Sequence, residues 1–97
     1  MSAADEGRSE AAIAEVVEVV RSSQRLAPDE PLAAGTILLD RGLALDSVAL
    51  LDLVLALEER FSIRFADQDI APAHFQSIAS VARLVDRIRA GGPRSDV

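Results

Sequence analysis

Few side chains of this chain could do chemistry, and the adjacent Asp46 and Ser47 are the most informative of them. They stand directly before a run of helix-forming residues with no glycine or proline until well past Phe61, so a helix is predicted to begin at this pair. The simplest interpretation of the pair is a helix cap. A serine at a helix start also suits a phosphodiester, because free N–H groups and the positive end of the helix dipole stabilise an anion. The two interpretations are compatible.

The single histidine, His74, does not complete a catalytic set. A Ser-His-Asp mechanism would need it beside Ser47, which lacks the glycines of a nucleophile elbow, and a lone histidine next to Phe75 is more often a surface or packing residue. The sequence has no glycine-rich phosphate loop, no cluster of metal ligands and no cysteine. We therefore expect a protein that is not an enzyme, and any thiol chemistry would need a borrowed thiol.

Composition favours one helical domain. The 97 residues suffice for a modest core, and a 49 % hydrophobic share with only three aromatic residues suits packed aliphatic helices better than a β-sandwich. Ten arginines against sixteen acidic residues give a net charge of -6, which disfavours nucleic acid and anionic membranes and favours partners with basic patches. With neither a signal-peptide pattern nor an apolar run of membrane-spanning length, we expect a soluble, cytoplasmic monomer.

Apolar spacing predicts the elements that position the Asp46-Ser47 pair. A first helix is predicted from Ser9, as its N-cap, to Ser23, and a central helix from the pair to Phe61. Residues 24–45 form an unusually long connection between them. Its many aliphatic side chains predict an ordered loop pinned to the core, with a short helical turn near Ile37 to Asp40.

The remaining chain is predicted to add one short helix and one long helix. A brief extended link over Ser62 to Phe65, with Ile63 and Phe65 turned inward, leads to a turn capped by Asp67 or Asp69. Because Pro72 interrupts that turn, a short third helix is predicted around Ala73 to Phe75. A last helix, capped by Ser77, ends at Gly91-Gly92-Pro93.

The predicted fold is therefore all-α, a small four-helix bundle of three main helices and one short helix, with a long ordered loop between the first and second helices. Residues 1–8 are expected to be a disordered leader, residues 9–90 the folded domain and residues 91–97 a flexible tail.

The central helix carries two apolar faces when successive residues are placed about 100° apart. The broad face is predicted to enter the core and consists of Leu50, Leu53, Val54, Leu57 and Phe61. The narrower set, which we call the stripe, consists of Val48, Leu51 and Leu55. Acids border the stripe and form what we call the acidic frame: Asp52, Glu58 and Glu59. Framed apolar patches mark interaction sites, so the sequence predicts a docking surface here, against the alternative of a helix buried on all sides.

The segment Leu43-Ala44-Leu45-Asp46-Ser47-Val48, followed by Leu53 to Phe61, resembles the Asp-Ser-Leu motif and following helix of acyl carrier proteins. The likeness covers roughly residues 9–90. It implies that Ser47 receives a 4′-phosphopantetheine arm from coenzyme A through a phosphopantetheinyl transferase, with Asp46 as the flanking motif residue. The arm's thiol would hold an acyl group as a thioester for loading, condensing and tailoring enzymes. The resemblance also implies that such partners dock on the stripe and the acidic frame.

Departures from the family pattern bear on the cargo. Ala44 stands where the family often has glycine, Val48 replaces the usual leucine, and Ala49 and Leu50 occupy positions that fatty-acid carriers often make acidic or polar. The helix therefore presents fewer acidic residues than a typical fatty-acid synthase carrier, and all the basic residues of the chain are arginine. These two features favour a discrete carrier of a polyketide or related specialised pathway. An aminoacyl or peptidyl carrier of a nonribosomal peptide pathway stays open, as does a helical interaction module without a prosthetic group. A helix-turn-helix DNA binder is disfavoured by the net charge of -6.

Overall fold

A computed structural model describes the backbone of residues 3–39 and 41–91 and the side chains of residues 10–39 and 41–90. The described chain forms three α-helices: α1 (Ala3–Ser23), α2 (Ser47–Phe61) and α3 (Ile78–Gly91). Two 3-10 turns, Asp67–Asp69 and Pro72–Phe75, lie between α2 and α3. Over the same residues there is no β-strand, and none of the helices combines the length and the apolar character of a transmembrane span. The prediction of an all-helical chain is confirmed.

A fourth bundle helix is not confirmed, because the short helix predicted around Ala73 to Phe75 is a single 3-10 turn. Pro72 opens this turn, and the N–H of His74 donates to the carbonyl of Ala71 at 2.9 Å, three residues back. Ser77 then caps α3 by accepting a hydrogen bond from the N–H of Ser80 at 3.2 Å, as predicted. The few residues between Pro72 and Ser77 leave no room for a regular α-helix.

Helix α1 begins at Ala3, so the predicted start at Ser9 is wrong. The helix extends towards the N-terminus beyond Ser9 because this segment contains the good helix formers Ala3, Ala4 and Glu6. Their propensity offsets the cost of the single Gly7. The backbone of residues 3–8, which fell in the predicted leader, is therefore helical. Met1, Ser2 and residues 92–97 of the predicted tail lie outside the described residues.

The core lies where α1 packs against α2 and α3, and it is almost entirely aliphatic. Its fully buried side chains are Val16 and Val20 of α1, Leu53 and Leu57 of α2, and Ile78, Val81, Leu84 and Val85 of α3, together with Leu38 and Phe75. The link after α2 turns Phe65 inward, as predicted, where its ring meets that of Phe75 edge to face with centroids 6.0 Å apart. This packing holds α2 with one side in the core and the other in solvent.

The connection between α1 and α2 is pinned to the core by backbone hydrogen bonds. Leu38 is fully buried, and its N–H donates to the carbonyl of Gln76 at 2.8 Å. Ile37 pairs with Ser77 in an antiparallel bridge. The helical turn predicted near Ile37 to Asp40 is therefore wrong for residues 37–39, which are not helical. Asp40 lies outside the described residues. The extended backbone is favoured at Ile37 because the segment before α3 offers backbone groups with which it can pair.

Candidate functional site

Asp46 caps the N-terminus of α2, as the sequence predicts. Its backbone is extended, with φ of -86° and ψ of -178°, and its Oδ1 accepts a hydrogen bond from the N–H of Ala49 at 2.8 Å. The carbonyl of Asp46 accepts the first intrahelical bond, from Leu50, also at 2.8 Å. Ser47 is therefore the first residue of the helix, and its side chain is exposed.

The helix start presents hydrogen-bond donors beside the Ser47 hydroxyl. The N–H groups of Ser47 and Val48 find no protein acceptor among the described residues, because Asp46 takes only the N–H of Ala49 and the N–H of Leu50. First-turn N–H groups of a helix have no partner of their own within the helix, and the dipole adds positive potential there. A negatively charged group suits this end of the helix.

The chain reaches Asp46 through a tight turn that contains two residues in the left-handed region. Gly42 has a φ of 70°, and a Cβ atom at this position would lie 2.2 Å from the carbonyl oxygen of Ile37. That same carbonyl accepts a hydrogen bond from Leu43 at 3.0 Å. Ala44 has a φ of 52°, a conformation that glycine adopts more readily. The glycine that carrier proteins often have at this position therefore matches the backbone found here.

A cleft of about 280 Å³ opens beside Ser47, between the end of α1, the loop and the start of α2. Its lining residues are Gln24, Leu26, Leu43, Ala44, Leu45, Asp46 and Ala49. The side-chain nitrogen of Gln24 donates to the carbonyl of Ala49 at 3.1 Å and so links the end of α1 to the first turn of α2. Sequence reasoning missed Gln24, because no local pattern signals a contact between residues that are 25 positions apart.

The stripe is exposed while the broad face of the same helix is buried. Val48 keeps 69 % of its surface in solvent, and Leu51 and Leu55 each keep 54 %. The buried residues of α2 are Leu53, Val54, Leu57 and Phe61, and Leu50 is half-buried. The alternative of a helix buried on all sides is therefore wrong, and an apolar patch lies on the surface within reach of Ser47.

The three acids of the frame are not equivalent. Asp52 and Glu59 are exposed, whereas Glu58 is half-buried and its Oε2 accepts a hydrogen bond from the backbone N–H of Phe65 at 2.9 Å. A groove of about 560 Å³ continues the stripe at this end of α2, and it is lined by Leu55, Glu58, Glu59, Ser62, Ile63 and Arg64. The structure thus leaves Asp52 and Glu59 as the acids whose charge faces solvent.

His74 lies apart from this chemistry. It is half-buried on the 3-10 turn Pro72–Phe75, and no hydrogen bond joins it to Ser47. Among the described residues there is also no cluster of side chains that could hold a metal ion.

The fold and the site together define a small helical domain that presents one exposed serine at the start of its central helix. Residues 10–88 match the family described as the phosphopantetheine attachment site, and the chain belongs to that family. No curated protein matches this chain. Domains of this family carry a 4′-phosphopantetheine prosthetic group and are not themselves catalytic. The match confirms the resemblance to carrier proteins.

Proposed function

We propose that this chain is an acyl carrier protein in which Ser47 Oγ bears 4′-phosphopantetheine. The observation that carries the proposal is an exposed serine at the N-terminus of α2, inside a family match that spans residues 10–88. When bound, the group supplies the thiol that this cysteine-free chain lacks, and it carries an acyl cargo as a thioester.

The residues around Ser47 have distinct tasks in this role. Asp46 uses its carboxylate to accept from the N–H of Ala49, which stabilises the first turn of α2, while the N–H groups of Ser47 and Val48 have no protein acceptor among the described residues. Together, these donors and the helix dipole stabilise one negative charge at this end of the helix by about 0.3–1 kcal/mol. Ser47 is also reachable by a transferase because its side chain is exposed.

Partner enzymes dock on the stripe and the acidic frame. Val48, Leu51 and Leu55 offer an apolar centre, and Asp52 and Glu59 offer exposed negative charge at its border. An apolar centre with a charged rim is the usual anatomy of a transient protein interface. A net charge of -6 adds long-range attraction to a basic partner surface. Glu58 belongs to the same face, but its carboxylate accepts a hydrogen bond from the backbone N–H of Phe65.

The cargo we propose is an acyl group of a polyketide or related specialised pathway, handled in the cytoplasm. Support comes from the start of α2, where Ala49 and Leu50 take positions that fatty-acid carriers often make acidic or polar. Incubation of the phosphopantetheine-bearing protein with a malonyl-transferring enzyme should give a malonyl thioester. Loading by an amino-acid-adenylating enzyme instead, with none by the malonyl transferase, would make it an aminoacyl or peptidyl carrier.

Intact mass spectrometry tests the attachment. Wild type, Ser47→Ala and Ser62→Ala are each incubated with coenzyme A and a promiscuous phosphopantetheinyl transferase. Ser62 is a matched control because it is exposed and lies at the other end of α2. We expect a phosphopantetheine-sized gain in wild type and Ser62→Ala and none in Ser47→Ala. A gain in Ser47→Ala, or none in folded wild type, would overturn the proposal.

A further inference from the structure

The cleft beside Ser47 has a composition that matches one part of the proposed prosthetic group. Its lining is mixed: it contains the leucines Leu26, Leu43 and Leu45, and its one neutral polar side chain is the carboxamide of Gln24. Beyond its phosphate, 4′-phosphopantetheine begins with a methylene group and a carbon with two methyl groups, followed by a hydroxyl and an amide. Small-molecule sites combine apolar side chains with a few placed polar groups, and both kinds are present here.

Gln24 is oriented so that its amide oxygen can accept. Its Nε2 donates to the carbonyl of Ala49 at 3.1 Å and to Ser23 Oγ at 3.1 Å, which assigns the nitrogen to that side of the carboxamide. Within the described residues no donor reaches the Gln24 Oε1 atom. Gln24 is half-buried, but no buried side-chain oxygen of the described residues lacks a partner, so Oε1 is open to solvent and can accept from an N–H group of a ligand.

The position and size of the cleft agree with a tethered ligand. Asp46 precedes Ser47 directly and Ala49 follows it by two residues, and both line the cleft, so its mouth adjoins the attachment point. Its volume of about 280 Å³ is at the lower limit for a drug-sized ligand, so it accommodates a segment of the arm and not the arm with its cargo. A short tether gives an effective concentration on the order of 1 mM, so even a weak contact is populated.

We propose that this cleft binds the branched, amide-bearing segment of the prosthetic group, with its methyl groups against Leu26 and Leu43 and its first amide N–H donated to Gln24 Oε1. This inference rests on the proposed attachment at Ser47. It makes Gln24 a positioning residue, because holding that segment keeps the arm on the α1 side of Ser47 and away from the stripe. The stripe then stays available to partners while the arm is at rest.

Nuclear magnetic resonance on apo protein and on phosphopantetheine-bearing protein, its mass verified first, tests the inference. We expect nuclear Overhauser effects between the arm's geminal methyl protons and the methyl protons of Leu26 and Leu43, with shifts of the Gln24 side-chain amide. Gln24→Met, which keeps the length but removes the carboxamide, should lose most of these effects. The matched control Gln68→Met, at an exposed glutamine of the Asp67–Asp69 turn, should retain them.

The outcomes separate this inference from the proposed function. A mass gain with effects only to the stripe residues Leu51 and Leu55, or with none to protein side chains, would overturn the cleft as a binding site and leave attachment at Ser47 intact. Full effects in a folded Gln24→Met would remove Gln24 from the site. Absence of any mass gain would overturn both proposals.

Discussion

Glu58 Oε2 accepts a hydrogen bond from the backbone N–H of Phe65 at 2.9 Å, across the end of α2. The backbone carbonyl of the same residue accepts from Ile63 at 3.1 Å, while Ser62 turns the chain with a left-handed backbone, φ 56° and ψ 48°. Glu58 therefore closes the helix with two of its oxygen atoms. A residue predicted for partner docking also holds the link that delivers Phe65 to the core.

Replacement of Glu58 is expected to cost stability that replacement of Glu59 does not. Glu58→Ala removes a charge-assisted bond to a half-buried N–H and should lower the free energy of unfolding by about 1–2 kcal/mol. Glu59 is exposed, so Glu59→Ala should stay within about 0.5 kcal/mol. Glu58→Gln keeps an acceptor and should recover part of the loss. Urea denaturation measures all three, and equal midpoints for the two alanine variants would contradict the structural role of Glu58.

Charge reversal at the solvent-facing acids is expected to weaken loading by a partner enzyme. The double variant Asp52→Arg, Glu59→Arg should lower the kcat/KM of loading by about tenfold, because attraction to a basic patch becomes repulsion, with little loss of helicity by circular dichroism. Glu10→Arg with Asp29→Arg is the matched control, since both acids are exposed and lie outside α2. Added salt should slow wild-type loading and speed loading of the Asp52, Glu59 variant, because it screens attraction in the first and repulsion in the second. Unchanged loading in that variant would exclude this surface.

The stripe is expected to serve binding while its buried neighbours serve stability. Leu51→Gln with Leu55→Gln should slow partner loading yet change the free energy of unfolding by no more than about 0.5 kcal/mol per site, because both leucines are 54 % exposed. Leu57 is fully buried, so Leu57→Ala should cost about 2–5 kcal/mol. Thermal unfolding and a loading assay on the same samples would separate the effect on stability from the effect on partner loading. A large stability loss from the glutamine pair would contradict the exposure of the stripe.

The turn before Asp46 is expected to respond in opposite directions to two substitutions. Gly42→Ala places a Cβ atom 2.2 Å from the carbonyl oxygen of Ile37 and should destabilise the protein by about 1–3 kcal/mol. Ala44→Gly relieves a left-handed alanine and should stabilise by about 0.5–1 kcal/mol, the strain relieved exceeding the added chain entropy. Chemical denaturation of both variants tests the pair. The same sign of effect in both would contradict this description of the turn.

Those features of the site that depend on neighbours along the chain were predictable. Asp46 and Phe61 bound α2 as expected, because a capping side chain followed by strong helix formers acts within one helix turn. The same holds for Ser77 at α3. The exposure of Val48, Leu51 and Leu55 also follows from helix periodicity, because a helix in a small domain buries one face and leaves the other in water.

Tertiary structure alone decided the features that join distant segments. Ile37 is extended because Ser77 is there to pair with it, and Gln24 reaches Ala49 only because α1 and α2 pack side by side. Glu58 differs from Glu59 for the same reason, since the link that follows α2 folds back onto one of these acids and leaves the other in solvent. The sequence by itself determined where the central helix begins, which serine it presents and which face is apolar, because capping and periodicity are local. The partners of its side chains were decided by packing, because contacts across the fold have no local signature.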